Sequence, residues 1–590
     1  MISERLRRFL LRLSLINHYS TDLVDILSEG DKGLIAELKA QNAFIRFNNH
    51  TNSYHIHPFF LEFLYTRQNA LSDDKIQTVY KAAADWCVKN NFIADALLHY
   101  EKTGDYESIV SILFTSPAQF FMDNAQHIAG IFIRAPEDVF DRVEFSAAMY
   151  IHSKLCLGEW SETSELIQYY EEKYLMLPED GIFRNHMLGC IYYYKAVLCM
   201  IRCTVDDIYD FDIYFAKMYN CLIGFPISLG CWHQQFPCLW TSMVGSSRAG
   251  APQEYLDALV RSTQYMQKCA NGLTAGIDDL CRGELLFYQD KIREAELYIN
   301  RALENARKYR QFEIVHRSLF YIMRIAVLRG DYKKTETALK EMEKQLECNE
   351  YFIRTFTYDI AVGWYYYVIS QPNKIPNWLK EKFAAHVHTG TLENFGNQIK
   401  VLYCYLTKNY ADLLSYMEEQ KSRESILFDR VELLAMEACV NYNMNQKDAA
   451  LKVLQESYET AAPNDIVMPF IELGKDMRAL ITAAASCPDC KIPQTWLKNI
   501  KQQASAYSRS KGLIMAEYKK ANELYIKIVL SLREKEVLHK MYDGLSNPEI
   551  AAKCGLSINT VKMYINSIYN KLGARNKADI FRIANEHNLL

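Results

Sequence analysis

The sequence predicts a mainly α-helical protein, and three observations carry the prediction. Helical hairpins closed by a polar turn recur about every 35–45 residues through the middle of the chain. One stretch near the N-terminus, and little else, alternates at period two as a β-hairpin does. Roughly the last sixty residues are punctuated by caps spaced for four short helices. At 590 residues, with 23% charged and 49% hydrophobic, the chain is globular and about three to five domains, or a repeat array, is expected.

Residues 1–70 make the first unit. Leu6, Phe9, Leu10 and Leu13 form a helical stripe, and Thr21–Leu27 and Asp31–Leu38 read as two further short helices. Phe44-Ile45-Arg46-Phe47 and Tyr54-His55-Ile56-His57 alternate across the polar turn from Asn48 to Asn52. Pro58 then starts a helix through Phe59, Phe60, Phe63 and Leu64. Three helices followed by a hairpin is a winged-helix plan. His55 and His57 share a strand face, but two ligands fall short of a metal site. Wing histidines packed against the next helix are the preferred reading.

Residues 71–485 are helical almost throughout. Trp86 through Tyr100, ending in Gly104-Asp105, reads as a helical hairpin. The logic repeats at Gly283–Tyr288 with Ala295 and Ala302, at Arg329-Gly330-Asp331, and at Asn443–Gln446 before Ala449-Ala450. Small residues where helices cross, aromatics in the grooves and polar turns argue for a TPR-like repeat array. Stacked hairpins leave a concave surface for a small-molecule or protein effector. Gly224–Trp240 is rich in Pro, Gly and aromatics and is expected to interrupt the stack. Tyr192–Tyr194 and Trp364–Tyr367 read as repeat core before they read as a ligand lining.

Residues 486–527 read as a linker with helical segments, and 528–590 as a four-helix domain. Ser531 with Glu534, and Ser546 with Glu549, have capping-box spacing. Pro548 sits in a first turn, Gly544 and Gly555 end helices, and Ser557 and Asn576 cap two more. In the third helix Val561, Ile565, Ile568 and Leu572 form a buried stripe. Beside it runs a polar stripe of Asn559, Lys562, Met563, Asn566 and Asn570. Amides and a cation on one exposed face suit base edges and phosphates, and a tight helix-turn-helix precedes them. Between Lys527 and Glu586 there are ten Lys/Arg against six Asp/Glu, a surplus of four in a chain of net charge −4.

These residues resemble a known family. Arg533-Glu534-x-Glu536-Val537-Leu538, Gly544-x-Ser546-Asn547-x-Glu549-Ile550-Ala551, Thr560-Val561-Lys562 and Lys571-Leu572 resemble the LuxR-type (NarL/FixJ-like) helix-turn-helix DNA-binding domain. The resemblance implies that the third helix enters the major groove of double-stranded DNA. It implies that Lys562, Met563 and Asn566 face bases, that Thr560 and Lys571 hold phosphates, and that Lys577 touches phosphate. The fourth helix, with Ile580, Ile583 and Ala584 inward, is expected to pack in a dimer. Tyr564 stands where the family commonly has His, and Asn566 where a basic residue is frequent, so a target sequence does not transfer.

Arg8-Phe9-Leu10-Leu11-Arg12, Asn42-Ala43-Phe44-Ile45 and Tyr54-His55-Ile56-His57-Pro58-Phe59-Phe60-x-Glu62-Phe63-Leu64 resemble the winged helix of MalT-like (LAL-type) regulators. Met468-Pro469-Phe470-Ile471-Glu472-Leu473-Gly474 resembles the end of their sensor region. In those regulators the winged helix is structural and follows a P-loop ATPase. No G-x-x-x-x-G-K-[ST] occurs here, so the expectation is a MalT-like chain without its N-terminal ATPase domain.

Other classes find little support. No G-x-S-x-G or H-E-x-x-H motif is present, and no catalytic residue, metal or cofactor is assigned. Cys487-Pro488-Asp489-Cys490 lacks a second ligand pair. Sixteen scattered cysteines, arginines interrupting the first fifteen residues and no bilayer-length apolar run predict a cytoplasmic protein without a membrane partner. The sequence thus reads as a transcriptional regulator that self-associates on DNA. The competing reading is a helical-repeat scaffold with weak or vestigial DNA binding.

Overall fold

The computed structural model describes residues 3–589 apart from 42–43, 117, 204–205, 224–241, 270–271, 273, 352, 385–391, 422, 424, 523–529, 573, 575 and 587–588. The Pro- and aromatic-rich segment 224–240 therefore lies outside the described residues. Helices dominate, with one two-stranded sheet among the described residues.

The first unit follows its sequence signals. Ser3, Ser20 and Asp31 each accept a backbone N–H three residues on, starting helices at Glu4–Leu13, Thr21–Leu27 and Lys32–Lys39. Strands Ile45–Asn48 and Ser53–Ile56 pair antiparallel, with Ile45 opposite Ile56 and Phe47 opposite Tyr54. Asn48 accepts the N–H groups of His50 and Thr51, which folds the turn. Pro58–Tyr65 follows as a helix. His57 is exposed and stacks on Phe59 at 5.5 Å, and His55 is exposed. The winged helix is locked to the first repeat: the Trp86 indole donates to Asp22 (2.6 Å), and His18 Nε2 lies 3.0 Å from Asp95.

The repeats are antiparallel helix pairs such as Asp73–Lys89 with Ile93–Thr103 and Ile277–Tyr288 with Ile292–Lys308. One turn recurs between helices. A residue at positive φ precedes the next helix by two positions, and the N–H after it reaches the carbonyl five residues back. Phe92 N–H to Cys87 O (2.8 Å) follows Asn91, Asp331 N–H to Ala326 O (2.9 Å) follows Gly330, and Gln446 N–H to Asn441 O (2.9 Å) follows Asn445. This is the Schellman closure, which satisfies carbonyls that a helix end leaves orphaned. Where helices cross, Gly283 lets Ile299 approach: a Cβ there would stand 2.6 Å from Ile299 Cγ1. Tyr192, Tyr193, Tyr194, Trp364, Tyr365 and Tyr367 are buried, as core residues are.

Two distant parts of the repeat array close on each other. Leu427 N–H donates to Val244 O (2.7 Å), and Val467 N–H to Tyr288 O (2.8 Å). The Asn464 amide bonds Gly250 N–H and the carbonyls of Ser247 and Arg248. At the centre is Arg324, only 4% exposed, paired with Glu472 at 2.6 Å and lying over the Phe287 ring at 4.7 Å. Tyr288 stacks on Phe428 at 4.1 Å and donates to Glu432 (2.7 Å). Burial raises the carboxyls of Asp429 and Glu432 to about 7.

The described structure forms two compact units, residues 1–512 and 513–590. The division falls inside one long helix, Gln494–Ala521. Its start is not free chain: Trp496 packs edge-on against Tyr458 and Phe470 at 5.0 and 4.9 Å. The stretch expected as linker from residue 486 is therefore folded onto the repeats along its first part. No helix among the described residues is long and apolar enough to cross a membrane.

Candidate nucleic-acid interface

Four helices build the C-terminal domain: Leu532–Tyr542, Asn547–Cys554, Ile558–Leu572 and Lys577–Glu586. Each starts at an expected cap. Ser531 Oγ accepts Glu534 N–H (3.2 Å) while Glu534 Oε2 accepts Ser531 N–H (2.6 Å). Glu549 reaches back to the N–H (2.8 Å) and hydroxyl (2.6 Å) of Ser546. Ser557 Oγ accepts Thr560 N–H (3.1 Å), and Asn576 Oδ1 accepts Asp579 N–H (2.9 Å). Gly544 and Gly555, at φ 82° and 67°, end the first two helices and set the tight turn before the third.

The third helix divides into two faces. Val561, Ile568 and Leu572 enter a core with Val537, Leu538, Ile550 and Ala551, and Ile565 packs against it. Asn559, Lys562, Met563, Asn566 and Asn570 lie exposed on the other face, with Met563 59% exposed. Lys562 has no carboxylate partner among the described residues. A solvated ammonium, three amides and a flexible thioether along one side of a 15-residue helix offer donors, acceptors and an apolar contact.

Glu534 ties that helix to the first. Its side chain is 4% exposed and accepts Ser567 Oγ (2.7 Å) and Lys571 Nζ (2.7 Å) besides its capping bond. Burial alone would raise this carboxyl. Hydrogen bonds from Lys571, Ser567 and Ser531 outweigh it and hold the group near 2. The third helix is thus fixed by a charge-assisted bracket behind its exposed face.

Comparison with known proteins places this domain. Residues 528–584 match the bacterial regulatory proteins of the luxR family, and residues 1–76 match the MalT winged helix domain. The HTH-type transcriptional regulator MalT of Vibrio cholerae is 20% identical to this chain, covering 99% of it and 70% of its own length. The chain is homologous to the MalT regulators. The MalT of Vibrio parahaemolyticus is 19% identical, over 100% of this chain and 70% of its own length. A shorter match has higher identity: the "Probable transcriptional regulatory protein SgaR" of Hyphomicrobium methylovorum is 45% identical over 49 residues, 8% of this chain and 23% of its own. The MalT homology frames both ends of the chain, a winged helix at one and a luxR-family domain at the other.

The structure brings most of the expected residues together. Asn559, Lys562, Met563 and Asn566 share one exposed face, and Thr560 sits half-buried at the helix start, its hydroxyl 2.7 Å from Ser557 Oγ. Lys571 is exposed but already paired with Glu534. Lys577 opens the fourth helix, its ammonium 5.7 Å from the Phe581 ring centroid. The fourth helix turns its expected residues inward. Ile580 and Ala584 are fully buried in the domain's own core, and Ile583 packs against that core. The apolar area of Ile580 and Ala584 is spent within one domain, while Ile583 stays partly exposed. Ile558, 45% exposed at the first position of the third helix, stands beside the polar stripe outside the expected set. Its signal was its place directly after the Ser557 cap.

Proposed function

We propose that this DNA-binding transcriptional regulator reads double-stranded DNA with the Ile558–Leu572 helix in the major groove. Lys562, Met563 and Asn566 face base edges, and Asn559, Thr560, Lys571 and Lys577 contact or approach phosphates. The helical repeats receive a small-molecule or protein signal, which acts by binding two arrangements of the chain unequally. Self-association on DNA uses a surface other than Ile580 and Ala584. The setting is the cytoplasm, and no catalytic step is assigned to this chain. One observation supports the reading above others: the third helix keeps three amides and a lysine, without a carboxylate partner among the described residues, exposed on a face braced from behind by Glu534.

The test is selection from genomic fragments by the whole chain at near-physiological salt, repeated with Lys562→Ala. A shared sequence motif enriched by the native chain and lost or relaxed in the variant is the expected outcome. Enrichment without any motif, equal in both proteins, would sink the base-reading assignment and favour the scaffold reading.

A further inference from the structure

A cavity of about 530 Å³ lies in the repeats, between the Leu392–Thr407 helix and the short turn Asn377–Leu379. Gly396, Asn397 and Lys400 line it from one face of that helix, and Trp378 lines it from the turn. Lys400 is only 4% exposed. Its ammonium donates to the Lys382 carbonyl and lies 5.4 Å from the Phe383 ring centroid. Among the described residues no carboxylate stands within ion-pair distance of it. The Glu381 carboxylate acts on it only from beyond ion-pair distance, so this buried ammonium with spare donors is poorly compensated, and an anion in the cavity would offset that cost. Burial accordingly presses Lys400 below the ordinary lysine value.

The walls are fixed in advance. Asn397 makes two hydrogen bonds to the Ala384 backbone, accepting its N–H (2.9 Å) and donating to its carbonyl (3.0 Å). The Trp378 indole N–H is held by Asp359 (2.7 Å), and its ring meets Phe356 edge-on at 5.6 Å. At Gly396 the helix backbone touches the indole: a Cβ there would lie 2.8 Å from Trp378 Cζ3. Glu381 at the exposed rim would repel a second negative charge.

We propose that this cavity binds a small organic monoanion, a carboxylate on a planar apolar body, with the carboxylate on Lys400 and the body along Trp378. One buried cation and a rim carboxylate select a single charge, and an indole wall selects a flat apolar partner. The proposal deepens the reading of the repeats as the signal-receiving region and rests on it for its biological sense.

The experiment is calorimetric titration of the full chain with benzoate, phenylacetate and indole-3-acetate, each against its neutral amide. At least one acid should bind saturably, with its amide about tenfold or more weaker. Lys400→Met should remove that preference while circular dichroism stays native. Gly396→Ala, which drives a methyl into the indole, should weaken acid and amide together. Equal binding of acid and amide, acid binding unchanged in Lys400→Met, or no binding of any acid at millimolar concentration would overturn the site. In a second arm the bound acid is added to the fragment selection. Acid binding that leaves DNA selection unchanged keeps the site and removes the signal-receiving role.

Discussion

The chain carries two small helical modules, one at each end of its described structure, and they resolve a similar plan in opposite ways. In the winged helix, three of the four arginines of Glu4–Leu13 are already paired, Arg5 with Asp31, Arg8 with Glu4 and Arg12 with Glu29, and Arg7 alone is exposed with no carboxylate partner among the described residues. Its third helix has 8 residues, and the exposed ones, Lys32, Gly33, Ala36 and Lys39, include two too short to reach a base edge. Lys39 lies over the Phe47 ring. In the C-terminal domain the third helix has 15 residues, and its long polar side chains are exposed. At about 1.5 Å per residue the longer helix has nearly twice the reach. Residues 1–70 carry eight Lys/Arg against seven Asp/Glu, a surplus of one against the four at the other end. Helix count does not make a DNA reader. What separates the two is whether the exposed helix is long and whether its charges are left for a partner outside the protein.

The largest effect should come from the bracket behind the reading helix. Glu534→Ala removes half a capping box and leaves Lys571 and Ser567 without their acceptor. Loss of about 2–3 kcal/mol of C-terminal domain stability is expected, seen as faster amide exchange confined to residues 530–586. The same group sets a pH dependence. Because its folded-state value is depressed from 4.5 to about 2, its contribution is fully present above the unfolded value and is lost as pH falls through 4.5 toward 2. Glu534→Gln should flatten that acid limb. An unchanged limb would mean the bracket does not hold the helix.

How far this was legible in the sequence follows from range. Every cap of the C-terminal domain was readable because each is a contact over three residues, Ser531 to Glu534 or Asn576 to Asp579. Repeat turns at Gly104, Gly330 and Asn445 were readable because glycine and asparagine mark positive φ. The same turn at Arg310 and Lys408 was not, since arginine and lysine carry no such mark. Those residues are held there by the Schellman bonds, Gln311 N–H to Ala306 O (2.8 Å) and Asn409 N–H to Cys404 O (2.9 Å). Contacts across long separations left no local trace. Arg324 meets Glu472, and Lys571 meets Glu534, only once the helices pack. The stripe of Ile580, Ile583 and Ala584 has the same limit: an apolar stripe states that a face is covered and not what covers it.

Next in size is the reading face itself. Lys562→Ala should cost specific binding about 1–3 kcal/mol and relax selection at one base position, measured by competition between the selected site and a scrambled one. Lys571→Ala should act differently. Its ammonium donates to Glu534 while the side chain stays 43% exposed, where a phosphate can approach it. Affinity for all sequences should fall about equally, and the slope of log affinity against log salt should flatten by about one. A slope that does not move would make Lys571 wholly part of the bracket.

The smallest effect sharpens the contrast from the other end. Arg8→Ala combined with Arg12→Ala removes two cations from the winged helix, a change of two charges in a region with a surplus of only one. Both already have carboxylate partners, at 2.9 and 3.2 Å. Little counterion release is therefore available from them when DNA binds. Affinity for the selected site and its salt slope should both stay unchanged, and the cost should appear only as about 1 kcal/mol of stability, most of it from Arg12, which is 21% exposed and also donates to the Leu27 carbonyl, since Arg8 with Glu4 is a surface pair. A slope that flattens by about two would place the winged helix on DNA beside the C-terminal domain. The difference between the two modules would then be one of degree, set by how readily each lets its protein partners go.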